Sequence, residues 1–254
     1  MKKLYGKSPS IMSEPYAYCP GCSHGIVHRL VAETIDELGI RESTVGVSSI
    51  GCSVRCWKFI DFDFVQGPHG RALALATGVK RAQPDKTVFT YQGDGDLMAI
   101  GMAETIHAAG RGENVTVIFV NNTVFAATGG QLAPTTLLGQ KTITYPEGRK
   151  QEEIGCPLRM CELLETMDTT GYVARVALNT PSNIMKAKQA VRKAFENQLS
   201  GKGFALVELL AACPSNLKLE PVEAMKWVGD NMIPYFPLGE FKTSEKKIDS
   251  AKGV

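Results

Sequence analysis

The sequence lacks any apolar run long enough to cross a membrane, which takes roughly 20 consecutive residues. Met1 to Tyr18 carries a little basic charge but no continuous hydrophobic block of the kind a secretory leader needs. Charge bias is missing too: 28 Lys and Arg stand against 26 Asp and Glu, a formal net charge of +2. So even a balance gives no electrostatic ground for binding nucleic acid or a membrane surface. Internal repeats and low-complexity segments are absent. The expectation is a cytoplasmic protein. Its 254 residues, 44% of them hydrophobic and 21% charged, suffice for one buried core, or one domain with extensions. The seven cysteines are an odd number, which disfavours complete disulfide pairing and favours metal, cluster or redox use.

The most informative stretch runs from Gln92 to Gln131. Residues 87–91 are a β-branched and aromatic run ending in glycines, the pattern of a buried strand that feeds a tight turn. Residues 97–110 have helical length and residues 115–120 are a second unbroken apolar strand, so the three make a βαβ unit. A six-residue strand rises roughly 20 Å and a fourteen-residue helix roughly 21 Å, so the crossover returns the chain to the edge it left. Asp94, in Gln92-Gly93-Asp94-Gly95-Asp96, and Asn122, in Asn121-Asn122-Thr123-Val124, are therefore expected side by side at the carboxyl edge, where open α/β sheets bind ligands.

Asp94 offers a carboxylate, Asn122 an amide oxygen and Val124 a backbone carbonyl, a donor set suited to magnesium with phosphate. Gly93 and Gly95 let backbone N–H groups approach a diphosphate. Taken singly, the first motif is equally a turn with Asp96 as helix cap, and Asn-Asn is a common turn pair. The stretch closes on Thr128-Gly129-Gly130-Gln131.

Four cysteines are expected in turns. Cys19 and Cys22 form a C-x-x-C in Tyr18-Cys19-Pro20-Gly21-Cys22, ahead of a helix over 24–38. A thioredoxin-like redox pair would need a strand just upstream, whereas residues 8–17 hold two prolines and scattered polar groups. Thiolates presented to iron are preferred, with structural zinc the remaining alternative. Cys52 follows a short strand at 44–48, in Ile50-Gly51-Cys52-Ser53. Cys213 follows the strand 204–210 and precedes Pro214, a recurring companion of iron–sulfur ligation. Cys161 falls in a helical stretch and is read as a small buried residue; Cys56 and Cys156 receive no role.

His69, in Gly67-Pro68-His69-Gly70-Arg71, stands before a small-residue helix over 72–82 and is a candidate cofactor contact. Residues 132–149 show no period and read as a loop that covers a site or docks a partner. The second half continues α/β: a helix over 157–167, a strand over 172–178, a helix over 181–198 capped by Thr180, and the strand 204–210. A helix over 222–232 lies in a C-terminal arm with a frayed lysine-rich end. Residues 1–214 are expected as the binding domain with its N-terminal cysteine segment, and 215–254 as the arm.

Taken together and in this order, these motifs resemble the β subunit of the 2-oxoacid:ferredoxin oxidoreductases, over nearly the whole chain. The overall style is most similar to the 2-oxoglutarate and 2-oxoisovalerate members. The resemblance implies a doubly wound, mostly parallel α/β fold of the thiamine diphosphate-binding type. It implies one 4Fe-4S cluster on Cys19, Cys22, Cys52 and Cys213, and Mg2+ on Asp94, Asn122 and the Val124 carbonyl. Ile50, Gly51, Cys52, Ser53, His69, Gly93, Gly95, Asp96 and Thr128 would contact thiamine diphosphate. Arg55 and Ala127 match substrate-pocket positions: Arg55 could meet the second carboxylate of 2-oxoglutarate or serve only a surface or inter-subunit ion pair.

The implied reaction is coenzyme A-dependent oxidative decarboxylation of a 2-oxoacid to acyl-CoA and CO2, with electrons passed to ferredoxin. An α subunit would supply the glutamate that faces the aminopyrimidine, the number of further small subunits being open, so the chain is expected to be inactive alone. Two other classes remain: a non-oxidative thiamine diphosphate decarboxylase or synthase, which needs no cluster, and an electron-transfer or zinc module, which needs no diphosphate clamp.

Overall fold

Runs that are apolar on both faces become the inner strands of one sheet. A computed structural model describes residues 6–243; the first five residues and the lysine-rich end, 244–254, lie outside the described residues. In chain order the strands are β1 Thr44–Ser48, β2 Asp63–Gln66, β3 Thr87–Gly93, β4 Thr116–Asn121, β5 Val124–Phe125, β6 Gln131–Leu132, β7 Thr170–Ala177, β8 Phe204–Leu210 and β9 Gly239–Lys242. The helices are α1 His24–Leu38, α2 Ala72–Ala82, α3 Met102–Gly110, α4 Gln151–Ile154, α5 Met160–Glu165, α6 Pro181–Leu199, α7 Pro214–Leu217, α8 Pro221–Trp227 and α9 Ile233–Tyr235.

The sheet order is β2-β1-β3-β4-β8-β7-β9, with β5 and β6 a separate antiparallel ribbon. Neighbours in the main sheet are parallel except β9, which runs antiparallel to β7. Successive side chains of β4 go to opposite faces, as the pleat dictates. Ile118 and Val120 join a core with Val31 and Ile35 of α1 and Val191 and Phe195 of α6. Val117 and Phe119 join another with Leu73 and Ala76 of α2, Ala109 of α3 and Leu164 of α5. Helices thus cover both faces, the doubly wound arrangement expected from the sequence.

The chain leaves β1 for β2 on one side and reaches β3 on the other. At such a reversal the carboxyl ends diverge and open a crevice. Residues 49–53 and 93–96 stand at its two lips.

Several elements depart from expectation. The helix after Asp94 begins as a wide π-helical turn, Gly95–Ile100, and only then continues as α3. Such turns often accompany functional sites. The expected helix over 157–167 shrinks to α5, and ahead of it the amide of Leu158 pairs with the Pro134 carbonyl (3.0 Å). The expected helix over 222–232 divides into α8 and a second wide turn, Val228–Met232. β2 and β9 carry no unbroken apolar run, being partly exposed strands at or near the sheet edges.

Candidate active site

The register Gly93↔Val120 between β3 and β4 brings Asp94 and the Asn121–Val124 turn to the same edge. The cleft between the lips spans about 490 Å³ of space open at its mouth. One wall is Ile50, Gly51, Cys52 and Ser53; the floor is Gly93, Asp94, Gly95 and Asp96; the far wall runs through Asn122, Val124, Phe125, Ala126, Ala127 and Thr128, with His24 and His69 at the sides. All the expected cofactor contacts therefore border one space. Gly95 has to be glycine, because a Cβ there would stand 2.3 Å from the Phe125 ring.

Asp96 ties the lips together. Ser49 Oγ (2.8 Å) and the Gly70 amide (2.6 Å) donate to its Oδ1, Gln92 Nε2 donates to its Oδ2 (2.6 Å), and His69 Nδ1 also meets Oδ1. The carboxylate thus joins the ends of β1 and β3 to the turn before α2.

Asp94 is only 2% exposed. Its Oδ1 accepts from the Gly95 amide (2.9 Å) and its Oδ2 from Thr135 Oγ1 (2.7 Å). Burial pushes its pKa up to about 7 against the lowering effect of these neutral donors. A buried carboxylate held by neutral groups is short of positive charge, which a divalent cation would supply. Beside it, Asn122 Oδ1 accepts from the Val124 amide at 3.3 Å and keeps a second lone pair. Between them Thr123 holds φ at 66°, a left-handed conformation costly for a β-branched residue. On the opposite wall Ser53 is 1% exposed, and its Oγ has no hydrogen-bond partner among the described residues. The floor and both walls therefore fit a magnesium diphosphate group.

The cysteines approach the same region. Burial pushes Cys22 up to about 12 and Cys52 up to about 11, and in both the Cys213 and Cys19 thiols add to the effect. The four thiols are thus within electrostatic reach of one another, with the Arg55 guanidinium lowering Cys52 in opposition. Asn216 Nδ2 donates to Cys213 Sγ at 3.2 Å, and the His24 amide lowers the Cys22 pKa by hydrogen bonding. Amide donors to sulfur suit a thiolate-held cluster. Among the described residues no three Cys, His, Asp or Glu side chains come close enough to bind a single metal ion. The donor chemistry thus suits a cluster, though no assembled ligand set is present. Gly21, in the left-handed turn between Cys19 and Cys22, packs so closely on Pro221 that a Cβ would meet its ring at 2.5 Å.

Arg55 does not border the cleft: its Nη1 donates to the Ala17 carbonyl at 3.0 Å. Cys161 is buried as expected, but its Sγ also donates to Glu208 Oε2 at 3.2 Å. Cys56 is core and Cys156 is exposed. Sequence reasoning missed Ser49, Gln92 and Thr135 as partners of the two aspartates. Thr135 sits in the aperiodic 132–149 segment, where no local pattern marks it.

The family described as thiamine pyrophosphate enzyme, C-terminal TPP binding domain, matches residues 49–209. Ketoisovalerate oxidoreductase subunit VorA of Methanothermobacter marburgensis is 49% identical over 225 residues, covering 89% of this chain and 47% of its own length. The chain spans about half the length of the two VorA relatives. The 2-oxoglutarate synthase subunit KorB of Methanocaldococcus jannaschii is 37% identical over 226 residues, covering 86% of this chain and 79% of its own. Among solved structures, a 2-oxoglutarate:ferredoxin oxidoreductase from Magnetococcus marinus, with 2-oxoglutarate, coenzyme A and succinyl-CoA bound, superposes with a TM-score of 0.76 at 25% identity. That match covers 95% of this chain and 86% of the solved one.

Proposed function

The chain belongs to the thiamine diphosphate-binding subunits of the 2-oxoacid:ferredoxin oxidoreductases, and from that membership we propose that it is the catalytic β subunit of an enzyme oxidising a branched 2-oxoacid of the 2-oxoisovalerate type. The products are acyl-CoA and CO2, with electrons leaving through one 4Fe-4S cluster to ferredoxin. The observation that carries this reading is the single cleft in which the buried Asp94, the strained Asn121–Val124 turn and the Cys52 segment meet.

Bound thiamine diphosphate supplies the carbanion-stabilising chemistry of decarboxylation, and the cluster takes electrons singly. Asp94, the Asn122 side-chain oxygen and the Val124 carbonyl would hold Mg2+ with the diphosphate. Cys52 follows Gly51 in the cleft wall, so the same segment would serve both the cofactor and a cluster held with Cys19, Cys22 and Cys213. Ile50 on one wall and Phe125, Ala126 and Ala127 on the other give both sides of the cleft apolar surface. Asp94 and Asp96 are the carboxylates that border the cleft among the described residues, and both are committed to anchoring. The family resemblance implies that the glutamate that sets the proton chemistry comes from a partner α subunit. The free thiols of the chain suit the reducing cytoplasm.

Two observations favour 2-oxoisovalerate over 2-oxoglutarate. The Arg55 guanidinium donates to the Ala17 carbonyl and does not line the cleft, although it is near enough to Cys52 to lower that thiol's pKa. Identity is also higher to VorA than to KorB. The assembled enzyme should turn over 2-oxoisovalerate at least about tenfold more efficiently than 2-oxoglutarate, a margin of about 1.4 kcal/mol, and Arg55→Ala should leave the ratio unchanged. A preference for 2-oxoglutarate that Arg55→Ala abolishes would reverse the substrate assignment.

A further inference from the structure

A buried ion-pair network lies under the metal-binding turn, and the proposed reaction gives it no role. Arg175 of β7 and Glu208 of β8 are both 0% exposed. Arg175 Nε donates to Glu208 Oε2 at 2.8 Å, while its Nη1 and Nη2 hold Glu162 of α5 in a fork at 2.9 and 2.6 Å. Phe236 and Phe241 flank the guanidinium, their ring centres 5.3 and 5.0 Å from it. The second oxygen of Glu208 leads to the site. Glu208 Oε1 accepts from Asn121 Nδ2 at 2.7 Å, and Asn121 Oδ1 in turn accepts from the amide of Thr123 at 3.1 Å. That amide belongs to the residue held at φ 66°, whose conformation sets where the Asn122 side chain and the Val124 carbonyl go.

We propose that Glu208, oriented by Arg175, is a positioning residue for the metal site: through Asn121 it holds Thr123 left-handed and so pre-aligns two of the three magnesium donors. A β-branched residue left to itself relaxes out of this conformation. A carboxylate fixed by a guanidinium is a stiff acceptor, and it fixes which way the Asn121 amide faces. An apolar pair of similar volume would fill the space equally well but could not orient Asn121.

The inference rests on the magnesium diphosphate reading, and its test separates the two. Thiamine diphosphate binding to the full chain is titrated by equilibrium dialysis at rising Mg2+, with melting temperature followed in parallel. Glu208→Gln should raise the half-saturating Mg2+ about tenfold. Glu162→Gln disturbs the same guanidinium but does not touch Asn121, and should shift it less than about twofold. The double variant Asn121→Asp with Glu208→Gln reverses the hydrogen bond while keeping an acceptor for Thr123, and should return the midpoint to within about threefold of the parent. Equal midpoints for Glu208→Gln and Glu162→Gln overturn the proposal. If Glu208→Gln does not accumulate folded, the double variant carries the test: a folded protein with a tenfold raised midpoint overturns it. Absence of Mg2+-dependent binding in the parent chain instead removes the reading on which the proposal rests.

Discussion

Asp94 and His28 are both buried, yet the two resolve the cost of burial differently. Asp94 keeps neutral donors on both oxygens, and on the proposed function a cation would complete it. His28 is 1% exposed; its Nδ1 meets Tyr16 Oη at 3.1 Å, and its Nε2 has no partner among the described residues. Burial first, and the neighbouring His24 second, hold its pKa well below the ordinary 6.5. The folded chain keeps this imidazole neutral where the unfolded chain takes up a proton. No stability is lost on its account above about pH 6.5, and below that pH stability declines by up to about 1.4 kcal/mol per unit for this one group. His28→Phe, which suits the surrounding Tyr16, Phe59 and Tyr91 rings, should flatten the fall in urea midpoint between about pH 7 and pH 5. Parallel declines in variant and parent would contradict the assignment. The meeting of Asp94 and Asn122 at one sheet edge was legible because the glycines, the turn and the strand before each side chain are local in sequence. Their supports, Thr135 and Glu208, lie in distant segments, and no local period marks a residue chosen for its hydrogen-bond geometry.

Among the elements, the strands buried on both faces and the amphipathic helices with clear turns could be read directly. β1, β8, α1 and α2 have the bounds that hydrophobic runs and flanking turns suggest. The elements at the margins could not: β9 pairs with β7 through a partly exposed strand, and the π-helical turn after Asp94 obeys tertiary contacts more than propensity. The segment between β6 and α5 was legible only as a loop. Its order comes from Arg149, 5% exposed, whose guanidinium donates to the carbonyls of Pro134 (3.0 Å), Thr136 (2.8 Å), Gly155 (2.9 Å) and Cys156 (2.9 Å). These bonds hold the turn from which Thr135 reaches Asp94. Arg149→Met should leave several carbonyls short of donors, each costing ~1–3 kcal/mol if it stays buried, so the segment should open locally. Amide hydrogen exchange across 132–156 should then accelerate about tenfold or more, with β3, β4 and β8 unchanged. Uniform acceleration through the sheet would mean that Arg149 supports the whole fold and not this loop.

At the scale of the whole molecule, one sheet reversal gathers the cofactor anchors, while the N-terminal C-x-x-C and Cys213 arrive from opposite ends of the chain. The Ala212 amide donates to Ser23 Oγ at 2.9 Å, which ties those two cysteine segments to each other. Residues 214–236 pack their own apolar cluster, with Phe236, Val228 and Met232 against Ala177 and Leu210 at the ends of β7 and β8. The cysteine pattern was legible; that its segments meet beside the cleft needed the fold. On the proposed function the chain would hold cofactor and electron outlet and leave proton chemistry to a partner, so alone it should bind without turning over. The most direct test is the cofactor content of the anaerobically purified protein with its partner subunit. The expectation is one thiamine diphosphate and four iron atoms per chain, brown in colour, with the iron lost in Cys52→Ser while thiamine diphosphate is retained. A colourless protein that still carries thiamine diphosphate and decarboxylates 2-oxoacids without an electron acceptor would contradict it.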